Sequence, residues 1–92
     1  MAFITGMFEL EPSDKKRPHS ESECSWRIAY RNDDVVLQLD TYGSPARQDV
    51  GTISQSLQFD EAMALELADA LARTFPAVAE LLRRRGTTPD DS

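Results

Sequence analysis

The residue types that do chemistry are few here, and badly spaced for it. His19 is the single histidine and Cys24 the single cysteine, five residues apart in a polar stretch. A nucleophile–base pair needs hydrogen-bond reach held by rigid structure, and that stretch offers none. A zinc site needs about four Cys, His or acidic ligands, and the sequence holds no such set. No phosphate loop of the GxGxxG or GxxxxGK(S/T) type occurs. Asp33, Asp34 and Asp40 invite an acid–base reading, but Asp33 and Asp34 are more simply turn residues. The chain is expected to be no enzyme and to need no metal or other cofactor.

What remains is binding chemistry, and it depends on which elements carry the arginines, amides and aromatics. Residues 25–31 alternate strictly: Trp26, Ile28 and Tyr30 point one way, Arg27, Ala29 and Arg31 the other. That period of two predicts a half-buried strand. Asn32, Asp33 and Asp34 make a turn. Residues 35–42 form a second strand, with Val35, Leu37 and Leu39 on one face and Val36, Gln38, Asp40 and Tyr42 on the other. A loop punctuated by Gly43, Pro45 and Gly51 follows. Residues 52–59 form a third strand, with Ile53, Leu57 and Phe59 inward and Ser54, Ser56 and Gln58 outward.

Asp60 is placed to cap a helix from Glu61 to about Phe75. Pro76 clashes with the carbonyl four residues back, so a kink and a second helical stretch to Arg85 are expected. Gly86 is read as the residue just past its end. Before the strands, residues 1–10 are apolar and predict a strand or a docking segment; Gly6 argues against a helix. Residues 11–24 read as a flexible polar linker, residues 25–86 as the folded β-β-β-α domain, and residues 87–92 as a disordered tail. The fold class is α+β: an antiparallel β-meander of three to four strands followed by a C-terminal helix kinked near Pro76.

A helical wheel shows more apolar surface than one sheet can cover. Glu66, Asp69, Arg73, Glu80 and Arg84 share a narrow arc, and the remainder is apolar over roughly 200°. A single sheet face needs a stripe of little more than about 100°. The surplus, Leu65, Ala68, Ala72, Phe75 and Ala79, is read as a homodimer interface, the alternative being that Phe3 and Phe8 cover it within the chain.

The outward sheet face carries Arg27, Arg31, Gln38, Tyr42 and Gln58, with Arg47 in the adjoining loop. Cations that track phosphates and aromatic faces that stack on bases are the means of binding single strands. The plain alternative is a solvated sheet face. The order of strands and helix, with VVLQLDTYGSPAR, a loop ending in Gly51, and ISQSLQFDEAMALELADAL, resembles the positive-cofactor-four type of single-stranded-DNA-binding, transcription-coactivator-like domain over residues 25–75. The chain is also similar to a group of short bacterial proteins of no assigned activity that share W-x-I, LQ-x-DTYGS-x-x-R and SQS-x-Q. The first resemblance implies a homodimer holding single strands across its β-ribbons, through Arg27, Arg31, Tyr42 and Arg47.

Charge pulls the other way. The formal charge is −6, and an acidic chain draws little non-specific affinity from a polyanion. The family is lysine-rich near its strands; here Lys15 and Lys16 are the only lysines, both in the linker. Nucleic-acid binding is thus expected to be weak and salt-sensitive, and a protein partner, with the chain as accessory subunit or inhibitor, is the competing expectation. One cysteine forbids an internal disulfide and fits a reducing, cytoplasmic setting. No run approaches the ~20 apolar residues that span a bilayer, and Met1–Leu10 lacks the basic start and cleavage site of a signal peptide.

Overall fold

The computed structural model describes residues 1–43 and 53–86. Its elements are β1 (Ala2–Phe3), β2 (Cys24–Arg31), β3 (Asp34–Thr41), β4 (Gln55–Phe59), α1 (Glu61–Thr74) and α2 (Pro76–Gly86). Most of the loop expected over 43–51, the start of the third strand at residue 52, and the tail at 87–92 lie outside the described residues.

The β2–β3 hairpin follows from the alternation and from one turn. Asn32 takes φ 57°, a left-handed conformation that Asn tolerates better than most residues. Asn32 and Asp33 make the turn alone, and Asp34 already belongs to β3, paired with Arg31. The register then runs unbroken to Cys24 opposite Thr41. β4 pairs antiparallel with β3, from Gln55 opposite Thr41 to Phe59 opposite Leu37. Ile53 and Ser54 precede β4 rather than belonging to it.

The α+β class stands, but the sheet is not a pure meander. Strand order is β1-β4-β3-β2, and β1 runs parallel to β4. A tight turn would have placed the first strand beside β2. Instead residues 4–23 separate the two, a connection long enough for the N-terminus to reach the free side of β4. Ile4 continues that pairing, its N–H donating to the Gln58 carbonyl at 2.9 Å. Residues 7–9 then pass beside Glu66, Asp69 and Arg73 of α1, with Glu9 3.7 Å from Arg73. They run along the polar arc of the helix, so Phe8, 84% exposed, is no cover for Leu65.

Asp60 caps α1 as its position implies: Oδ1 accepts from the Met63 N–H at 2.9 Å. The helix stops at Phe75, which is extended at φ −124°, ψ 111°, the conformation favoured before a proline. Phe75 serves both helices. Its N–H donates to Leu71 O, and its carbonyl accepts from Val78 and Ala79 N–H. Pro76 thereby opens α2 at the position where its missing N–H is no loss. Gly86 is the last residue of α2 rather than the one beyond it.

α1 packs on β3 and β4. Met63, Ala64, Leu67, Ala68 and Ala72 form its half-buried stripe, and Leu37, Leu39, Leu57 and Phe59 lie together on one face of the sheet by register. The helix does not reach β2. Among the described residues only Val36 and Phe59 are buried apolar side chains.

The cap gives a direct test of this assembly. Asp60→Ala removes the acceptor of the Met63 N–H and should lower the unfolding free energy by about 1 kcal/mol, read as a reduced urea midpoint at unchanged slope.

Candidate functional site

The outward face expected to bind nucleic acid is built around Asp40. The register sets Ser25, Asp40 and Ser56 in one row across three strands, and Arg27, Gln38, Gln58 and Phe3 in the next. Asp40 has no exposed surface, and Ser56 is buried beside it. A charge so enclosed needs donors on its oxygens. Gln38 Nε2 donates to both carboxylate oxygens at 3.1 Å, the Ser56 hydroxyl donates as well, and Arg27 Nε lies 4.0 Å away. Gln58 Nε2 in turn donates to Gln38 Oε1 at 2.8 Å. Tyr42 lies just past β3, and its hydroxyl is hydrogen-bonded to the Ser25 hydroxyl.

The same face coils. Arg31 stands on β2 at one edge and Phe3 on β1 at the other, yet the Arg31 guanidinium carbon is 4.0 Å from the Phe3 ring centre. Three strand spacings alone would hold their Cα atoms about 14 Å apart, before their offset along the strands. The right-handed twist of the sheet brings these diagonal corners together over its polar face. This encloses what would otherwise be an open surface: Val36, on the same face as Arg31 and Gln38, is 2% exposed. Met1, Ala2 and Phe3 line a pocket with Gln38, Ser56 and Gln58.

Of the residues expected to contact nucleic acid, the structure thus brings five together and gives each a partner in the chain. Arg27 faces Asp40, Arg31 lies on Phe3, Gln38 and Gln58 bond to each other, and Tyr42 bonds to Ser25. Arg47 lies outside the described residues. The residues expected at a helix interface divide. Leu65 and Phe75 are 68% and 52% exposed, and Ala79 is exposed, whereas Ala68 and Ala72 are half-buried in the stripe that faces the sheet.

The surface that sequence reasoning passed over is on the other side. The alternation turns Trp26, Ile28 and Tyr30 inward, and by register they do share the face of Leu37 and Leu39. They are nevertheless 69%, 64% and 68% exposed, beside Val35 at 59%. The signal was available: a helix following the third strand sits over the strands nearest to it, and β2 is the farthest of the three. No group of three or more His, Cys, Asp or Glu is placed to hold a metal ion among the described residues. No family model, no curated protein and no solved structure matches the chain.

The Asp40 network has a pH signature. The Ser56 hydrogen bond lowers the Asp40 pKa from its ordinary 3.8; desolvation opposes this, and Gln38 and the Arg27 charge lower it further. With the folded value below the unfolded one, the stabilisation is present above about pH 3.8 and is lost as pH falls through the folded pKa. Asp40→Asn should therefore melt at a lower temperature than the parent at pH 7. The gap should narrow below pH 4, and a gap that stays constant to pH 2 would remove the role given to the charge.

Proposed function

We propose that this chain is a non-enzymatic protein-interaction module working through the apolar side of β2. The observation that carries this reading is the exposure of Trp26, Ile28 and Tyr30 on one regular strand. Contiguous exposed apolar surface marks interaction sites, and Trp and Tyr are the residues that most often anchor protein interfaces. The opposite face supports the choice by its commitments, since its arginines and amides are bonded within the chain. The net charge of −6 weighs the same way. A reducing, cytoplasmic setting fits the exposed, unpaired Cys24. No helix among the described residues is long and apolar enough to cross a membrane.

A second reading keeps single-stranded nucleic acid as the ligand, in line with the resemblance to the positive-cofactor-four type. Its support is that β2 alternates exposed aromatics with arginines, and that the Arg27 side chain is 63% exposed. Such binding would be weak and would fall steeply with salt.

Site-specific photo-crosslinking in the native cell separates the two. A photoreactive residue at Tyr30 should yield protein adducts, and one at Gln58, on the polar face, should yield none. Nucleic-acid adducts from either position, together with retention of a single-stranded oligonucleotide at ~50 mM salt, would replace the first reading by the second.

A further inference from the structure

We infer that the partner on β2 is a second copy of this chain, joined edge to edge by antiparallel pairing of β2 with β2 about a two-fold axis at Ile28. The inference rests on the reading of β2 as the working surface and goes beyond it by naming the occupant and the register.

The hydrogen-bonding direction of β2 can be traced across the sheet. A residue in a strand sends its N–H and C=O to the same side, and successive residues alternate. Gln58 O accepts from Ile4 N on the β1 side, so Leu57 and Phe59 face β3. Their partners Leu39 and Leu37 face back toward β4, in agreement with the bond from Ser54 N to Thr41 O. Gln38 and Val36 therefore face β2, and they meet Arg27 and Ala29. The alternate residues Trp26, Ile28 and Tyr30 are left with backbone groups aimed at the outer edge. No strand among the described residues pairs with that edge.

Proteins that stay monomeric blunt such an edge with charged side chains, proline, a bulge, or a short strand. β2 has no proline and no bulge, and is eight residues long, CSWRIAYR, in unbroken register with β3; of its two charges, Arg27 faces Asp40 and Arg31 lies on Phe3. It is built to be paired.

A second copy of β2 satisfies its side chains in one register. Pairing must keep apolar residues on one face, because a one-residue slip sends them to the other. Three long registers satisfy this. Centred on Arg27, the two-fold sets Arg27 against its own copy; centred on Ala29, it sets Arg27 against Arg31. Like charges directly opposite are unfavourable. Centred on Ile28, it sets Ile28 against itself, Trp26 against Tyr30, and Arg27 against Ala29. This register alone joins aromatic to aromatic and leaves no arginine facing another.

The test uses the purified full chain. Sedimentation should give twice the 10.3 kDa chain mass. Ile28→Lys places two ammonium groups together at the axis and should raise the dimer dissociation constant roughly 10-fold or more. Leu65→Glu, on the helix, should leave the dimer intact. Ile28 is 64% exposed in the single chain, so the lysine should leave the fold and its circular dichroism unchanged. The register is read with cysteines in a Cys24→Ser background. Ile28→Cys should oxidise spontaneously to a covalent dimer, because directly opposed residues in a hydrogen-bonded pair have Cα atoms about 5.5 Å apart, within disulfide reach. Trp26→Cys should not, since its copy lies four residues away along the ladder.

A monomeric parent chain overturns the inference, and so does a dimer lost with Leu65→Glu but kept with Ile28→Lys. If the parent is monomeric and the Tyr30 photo-crosslink captures a different protein, self-pairing fails while the interaction reading survives. If Tyr30 captures no protein at all, both fail.

Discussion

One constraint governs this molecule: its helices are too few, and sit too far to one side, to cover the sheet they accompany. Val36 and Phe59 are the buried apolar side chains among the described residues, which is little core, and small domains bury the least surface for their size in any case. α1 follows β4 directly, so it lies over β4 and β3 and leaves β2 uncovered. The exposed apolar face of β2 is a consequence of where the helix is attached, and its unpaired backbone edge of its place at the end of the strand order.

The polar face meets the shortage by another route. Twist brings the two edge strands toward each other, and Arg31 reaches Phe3 across them. Asp40 is enclosed beneath, with its oxygens bonded by Gln38 and Ser56 and its charge opposed by Arg27. A buried carboxylate with its donors in place specifies one arrangement of strands, because any slip leaves the charge without partners. The network ties β2, β3 and β4 where apolar packing is thin. It also engages the arginines and amides of that face within the chain, which supports the interaction surface proposed on the opposite side of the sheet.

Much of this was legible in the residues. The alternation at Trp26, Ile28 and Tyr30 fixes the strand and its faces, Asp60 marks the start of the helix, and Pro76 marks its break. The surplus of apolar surface was visible too, though on the helical wheel rather than on β2. Alternation reports which way a side chain points but not whether anything lies there, so Trp26 read as inward and Asp40 as open to solvent. The structure reverses both for the same reason, since coverage depends on sheet twist and helix placement. The parallel docking of β1 was beyond reach for a different cause: two residues, Ala2 and Phe3, carry no periodicity that names a partner.

The central claim is that the outer edge of β2 is paired in solution, and amide hydrogen exchange along that one strand tests it most directly. The N–H groups of Arg27 and Ala29 face β3 and should be protected in either case. If β2 pairs with its copy, Trp26, Ile28 and Tyr30 will be protected to a similar degree, giving continuous protection along the strand. Rapid exchange at those three positions, alternating with slow exchange at Arg27 and Ala29, would show an open edge and contradict the account.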